Sequence, residues 1–132
     1  MEYNSFNKEP KININLHDKK RPYVLLNNVV YLAHTDKYTY RIAIPKGYSF
    51  DGATIPRFFW RLIGSKGEVE FLPAALVHDW LCEHKDFIEK HGVQVSSDIF
   101  RDILILYGVK PFKAKTMAGA VRLFQMTQKG WK

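Results

Sequence analysis

The stretch LPAALVHDWLCEH, residues 72–84, decides how the second half of this chain folds. Pro73 suits a first helical turn, and the residues after it are apolar on more than one face, which is typical of a central and largely buried helix. Within this helix, His78 and Asp79 are polar. Because a buried titratable group is costly unless hydrogen bonds or a metal compensate it, the sequence predicts a partner for each of them.

Further helices are predicted on both sides of this stretch. Pro56 and the aromatic residues after it indicate a short helix upstream. Downstream, Ser96 or Ser97 is predicted to cap a helix that ends at Gly108, and the last helix is predicted over about residues 113–129.

The first half of the chain is rich in β-branched and aromatic residues. Three runs, YVLL, VVYLA and YTYRIAI, begin at Tyr23 and are separated by turn formers, which predicts an antiparallel meander. Alternate residues from Tyr38 to Ile44 fall on one face, as in a half-buried strand. We therefore predict an α+β fold, with a small antiparallel sheet from the N-terminal half packed against three to four helices from the C-terminal half. Residues 1–20 are predicted to be a loose arm before a single globular domain, residues 21–132.

Composition restricts the class of protein. The 132 residues suit one domain, and the single cysteine, Cys82, excludes an internal disulfide, as expected in a reducing compartment or in a virion assembled in one. The sequence contains no apolar run of signal-peptide length and none near the roughly 18 to 20 residues that span a bilayer. We therefore expect that the protein is not secreted by a signal peptide.

The net charge of +7 is concentrated at one end of the chain. The segment after Asp102 contains no acidic residue, and Lys115, Arg122 and Lys129 recur every seven positions, near one helical stripe. Such a patch can meet phosphate, an anionic lipid surface or an acidic partner. The alternative is a solvated helix face that serves only solubility.

The first candidate for chemistry is a His-Asp dyad. Asp98 and Asp102 lie four residues apart, so they share a helical face, and either is able to accept a hydrogen bond from His78. A carboxylate that orients an imidazole makes a general base for activating water. The alternative is a buried hydrogen bond that only ties two helices together.

The second candidate is the stretch SFDGATIPRFFW, residues 49–60. Asp51 is predicted in a turn at the end of the sheet and Thr54 as the cap of the next helix, with Arg57 in its first turn. Such a turn can supply oxygen ligands to Ca²⁺ or Mg²⁺, or it can hold an anion at the helix start. In either case Asp79 is able to reach this loop. The alternative is an ordinary turn and cap.

Other site classes receive less support. Cys82, with Glu83, His84 and His91, fits no closed zinc template, and we predict these residues to face solvent at a helix end. The sequence has no Gly-x-Ser-x-Gly motif, phosphate loop or dinucleotide glycine fingerprint, so no nucleotide cofactor is predicted.

The order of these segments resembles a known family. The segments GYSFDGATIPRFFW, PAALVHDWLCEH, SSDIFRDILILYGV and MAGAVRLF follow one another over about residues 40–131. This order resembles the phage and prophage domain-of-unknown-function family 1353, whose pattern positions are occupied here by Asp51, Thr54, Pro56, Arg57, His78, Asp79, Asp98 and Phe100. The resemblance implies a protein that is encoded by a phage or prophage and located in the host cytoplasm or in the virion. It implies no particular activity.

A local part of the pattern is also similar to the core of type-A-two phospholipases. The similarity implies that His78 activates water, that Asp98 orients His78, and that Asp79 binds Ca²⁺ together with the loop around Asp51. Two functional hypotheses follow. The first is a phage accessory or tail-assembly-type protein with a buried His-Asp network, which binds other phage proteins or an anionic surface. The alternative is a metal-assisted, phospholipase-like hydrolase.

Overall fold

The computed structural model describes residues 4–15, 17–18, 20–34, 39–50 and 71–127. The chain divides into two compact units, Met1–Asp51 and Gly52–Lys132. In the described residues the first unit is built from strands and the second from helices, so the predicted α+β class is confirmed.

The first unit contains two three-stranded antiparallel sheets within the described residues. The strands are β1 (Ser5–Phe6), β2 (Ile12–Ile14), β3 (Tyr23–Leu25), β4 (Val29–His34), β5 (Thr39–Ile44) and β6 (Ser49–Phe50). One sheet has the order β1-β4-β5 and the other the order β2-β3-β6. The chain therefore switches sheets three times, between β1 and β2, between β3 and β4, and between β5 and β6.

The predicted three-stranded meander is correct for β4 and β5 and wrong for β3. β4 and β5 pair along their whole length, and Ile42 and Ile44 are buried as their alternation predicts. β3 instead pairs with β2 and β6. The side chain of Asn27 accepts a hydrogen bond from the backbone N–H of Lys11, and that of Asn28 accepts one from Lys46. The connection between β3 and β4 therefore binds distant loops and does not close a hairpin.

The stretch predicted as a loose arm contains two of the strands. In the sheets, Ser5 faces Leu32 and Ile12 faces Leu25. The Asn7 side chain also accepts a hydrogen bond of 2.8 Å from the backbone N–H of Val30. Backbone pairing thus connects both segments to the later strands of this unit.

Four helices make up the described part of the second unit. Helix α1 covers residues 71–83, and it is followed by α2 (Lys85–His91), α3 (Val93–Leu106) and α4 (Pro111–Thr127). α1 is buried on nearly all of its sides, as its apolar sequence predicts. Its fully buried residues include Ala74, Ala75, Leu76 and Val77.

The start of α3 differs from the prediction. Ser96 and Ser97 do not cap this helix but lie inside it, where their hydroxyl groups donate to the carbonyl oxygens of Val93 and Gln94. Gly92 precedes the helix with a φ of +90°, a conformation that side chains disfavour. This glycine lets the chain turn directly from α2, a helix that the sequence analysis did not predict, into α3. The short helix predicted from Pro56 lies outside the described residues.

Candidate functional site

The polar residues of α1 lie at the junction of three helices. His78 is completely buried and Asp79 is 4% exposed. One turn after His78, the Sγ atom of Cys82 lies 3.7 Å from Nδ1 and 3.9 Å from Nε2 of the imidazole. Phe100 of α3 meets the imidazole edge to face, with the ring centroids 5.4 Å apart, and Gln125 of α4 donates a hydrogen bond of 3.2 Å to Cys82 Sγ. We refer to His78, Asp79, Cys82 and Gln125 as the buried polar centre.

Burial sets the protonation states in this centre. Loss of water lowers the pKa of His78 to about 4, although the nearby amide of Gln125 acts in the opposite direction. Burial also raises the pKa of the Cys82 thiol, and the negative charges of Asp79 and Glu83 raise it further. At neutral pH the imidazole is therefore uncharged and the thiol keeps its proton.

The structure does not bring His78 together with Asp98 or Asp102. Phe100, whose ring contacts His78, is two positions from both Asp98 and Asp102. Because successive helical residues are about 100° apart, both carboxylates lie about 200° around α3 from Phe100, on nearly the opposite side of the helix. The carboxylate of Asp98 instead accepts hydrogen bonds from Gln94 Nε2 at 2.7 Å and Arg101 Nη1 at 3.4 Å. Asp102 accepts one from Arg101 Nε at 3.0 Å.

Asp98 faces a groove between α3 and α4. The groove has a volume of about 130 Å³ and is lined by Gln94, Ser97, Asp98, Arg101, Lys115, Ala118, Gly119 and Arg122. Three of these side chains are cationic and one is anionic, so the lining has an excess of positive charge. At Gly119, a β-carbon would meet no atom within 4 Å, so the groove is open there. We refer to this feature as the cationic groove.

Two members of the predicted anion-binding patch line this groove. Lys115 is exposed and Arg122 half-exposed, and both belong to α4, as their spacing predicts. Lys129 lies outside the described residues. The sequence analysis missed Arg101 and Gln94, which reach the groove from α3. Their spacing of three and four residues from Asp98 is the signal that would have placed them on its helical face.

The predicted cation site remains a prediction. Asp51, Thr54 and Arg57 lie outside the described residues, so only Asp79 of the predicted ligand set has a described position. Within the described ranges, no three His, Cys, Asp or Glu side chains gather in a way that would hold a metal ion.

The sequence analysis also missed the role of Cys82 and Gln125. Cys82 was predicted to face solvent, but it is 1% exposed, because it lies one helical turn after His78 on a buried side of α1. Glu83 and His84 are exposed as predicted. Gln125 continues the buried stripe formed by Ala114, Ala118 and Val121, and this helical spacing would have placed it inside the protein.

Comparison with known proteins places this α+β chain in a family. A family model described as "Protein of unknown function (DUF1353)" matches residues 23–121. Since the match covers more than half of the sequence, the chain belongs to the DUF1353 family, as the order of its motifs predicted.

Two relatives come from Sinorhizobium fredii (strain NBRC 101917 / NGR234). The uncharacterized protein y4jT is 34% identical over 84 residues, which are 61% of this chain and 23% of that protein. The uncharacterized protein y4iH is 34% identical over 76 residues, which are 56% of this chain and 29% of that protein. The matched part therefore spans about a quarter of the length of these relatives. No solved structure matches the chain significantly.

No helix in the described part of the chain is both long enough and apolar enough to cross a bilayer.

Proposed function

We propose that this protein is a phage-associated accessory or tail-assembly-type protein that acts by binding. Its buried polar centre holds helices α1, α3 and α4 together as an internal structural lock. The observation that carries the proposal is the complete burial of His78 among side chains of α1, α3 and α4. An imidazole in this position connects three helices of the second unit. The phage setting rests on the motif order described above, and we expect the protein in a host cytoplasm or in a virion.

The protonation states of the buried polar centre support a structural role. A general base works best when its pKa lies near the operating pH, whereas the pKa of His78 is lowered to about 4. A nucleophilic cysteine requires a lowered pKa and access to solvent, whereas burial raises the pKa of Cys82. The Gln125 amide, which is also buried, connects α4 to this pair. These features stabilise a helix junction and are poorly suited to the hydrolase alternative.

The lock is tested by replacing Asp79, a buried carboxylate, with asparagine. We expect Asp79→Asn to lower the free energy of unfolding by about 2 to 5 kcal/mol, because Asp79 is 4% exposed and the amide would weaken the interactions that hold its buried carboxylate. The matched control is Asp98→Asn, since Asp98 is partly exposed and its ion pair with Arg101 is worth at most about 1 kcal/mol. Urea unfolding measures both variants. If Asp79→Asn unfolds like the parent protein and loses only an ion or an activity, the lock is rejected.

The assembly role needs a separate measurement. A tagged full-length chain, expressed in cells that produce the encoding phage, should sediment with particles or with assembly intermediates. Two results together would contradict an assembly role. The tagged chain would be recovered only in the slowly sedimenting fraction, and cells that lack the protein would produce particles in normal yield.

A further inference from the structure

Helix α4 is apolar on two opposite sides, and only one of these sides is buried. Ala114, Met117 and Val121 are buried. On the other side, Phe112 is 83% exposed, Leu123 64% and Met126 45%. At about 100° per residue, these three side chains fall within a roughly 60° arc, and they extend over about 21 Å of the helix. We refer to Phe112, Leu123 and Met126 as the apolar ridge.

Basic residues flank the apolar ridge on both sides. Lys115 and Arg122 lie along one side of it and Lys113 lies on the other, and no acidic residue follows Asp102 in the sequence. Lys115 and Arg122 also line the cationic groove beside the ridge. The exposed face of α4 thus combines large apolar side chains with cations and no anion of its own.

We propose that this face of α4 docks onto the surface of an anionic phospholipid bilayer, with the apolar ridge among the headgroups and the flanking cations at the lipid phosphates. The inference goes beyond the proposed function, since it holds whether or not the buried polar centre is a lock. A basic helix with large apolar residues on one side is suited to lie in the plane of a membrane interface. Lys113, Lys115 and Arg122 have long stems that can follow the ridge inward while their charges stay at the phosphates.

The charge of the flanking residues favours a lipid surface with negative headgroups over a neutral one. The apolar ridge is short, so its burial alone gives weak and reversible binding, and the cations must supply the rest. Each Lys or Arg at an anionic surface strengthens partitioning by about fivefold. We therefore expect binding that requires anionic lipid and falls as the ionic strength rises.

Vesicle sedimentation of the full chain tests this inference. The two preparations are phosphatidylcholine alone and phosphatidylcholine with a quarter phosphatidylglycerol, each at low and at physiological ionic strength. The parent protein should sediment with the anionic vesicles and weakly or not at all with the neutral ones. The double variant Phe112→Ser with Leu123→Ser should bind at least about tenfold more weakly, because it removes most of the exposed apolar area.

Matched substitutions on the first unit control for general effects. Ile14→Ser with Leu26→Ser removes two other exposed apolar side chains and should leave vesicle binding unchanged. Lys115→Gln with Arg122→Gln should weaken binding by about twenty-five-fold. Lys8→Gln with Lys46→Gln, at exposed positions of the first unit, should have little effect. Thermal melting verifies that all four variants remain folded.

Three outcomes would overturn the proposal. The first is equal binding to neutral and anionic vesicles, and the second is an equal loss of binding in the ridge variant and its control. The third is a parent protein that does not bind vesicles but is retained on heparin or polyglutamate, with weaker retention of the Lys115→Gln, Arg122→Gln variant. That result would assign the face of α4 to an acidic macromolecule.

Discussion

Lowering the pH from 7 to 5 should weaken the helical unit through His78. The unfolded chain takes up a proton at the ordinary histidine pKa of 6.5, but the native state resists protonation until about pH 4. Between these values the unfolded state binds more protons than the native state, so stability falls as the pH falls. The difference of about 2.5 pKa units corresponds to a limit of about 3 kcal/mol, of which about 2 kcal/mol is lost by pH 5.

Urea unfolding followed by tryptophan fluorescence is a suitable assay. All three tryptophans belong to the second unit, and Trp80 lies in α1, so the signal reports on this unit. His78→Asn should be less stable than the parent protein at pH 7, and the gap should shrink by about 2 kcal/mol at pH 5, because the variant has no imidazole to protonate. His17→Asn, at an exposed position, is the control and should keep the full pH dependence of the parent. If the parent and His78→Asn lose equal stability between pH 7 and pH 5, the argument from burial is refuted.

Three further predictions concern packing, backbone conformation and thiol access. Ile103→Ala should lower the free energy of unfolding by about 2 to 5 kcal/mol, because the Ile103 side chain is fully buried. Ile105→Ala, at a 37% exposed position, should lower it by less than about 1 kcal/mol, and equal losses in urea unfolding would contradict the packing of α3. Gly92→Ala should lower the free energy of unfolding by about 1 to 3 kcal/mol, because Gly92 has a positive φ, and a stabilised variant would contradict this backbone conformation between α2 and α3. Gly119→Ala should raise the free energy of unfolding by up to about 1 kcal/mol, because Gly119 lies in an open helical position. Alkylation of Cys82 in the native protein should be limited by opening of the fold, and labelling as fast as in urea would show that the thiol is accessible.

Local patterns in the sequence predicted the elements better than their partners. The burial of α1 and the alternation in β5 follow from residues that are neighbours in sequence. After β3, the side chains of Asn27 and Asn28 accept hydrogen bonds from backbone groups 16 and 18 residues away, and no local pattern reveals such contacts. A serine such as Ser96 is common both as a helix cap and in the first turns of a helix, so its presence alone does not show where the helix begins.

The same limit applies to the site. An apolar helix predicts that His78 is buried, but it does not predict what surrounds the imidazole. Carboxylates on the next helix are the obvious partners for a dyad, whereas the structure places the weakly polar Cys82 and the amide of Gln125 around the ring. The basic side of α4 was easier to predict, because a spacing of seven residues places Lys115 and Arg122, which line the cationic groove, on the same side of a helix.

The chain switches between the two sheets three times, and this order of strands affects how the first unit can fold. One sheet draws its strands from Ser5 to Ile44 and the other from Ile12 to Phe50, so the two sequence spans overlap. A backbone cut anywhere between β2 and β5 separates strands of both sheets, and a growing chain completes neither sheet until β5 has been made. Because the β1–β4 and β3–β6 pairs close long loops, this unit should form slowly during synthesis and leave unpaired strand edges exposed to other nascent chains.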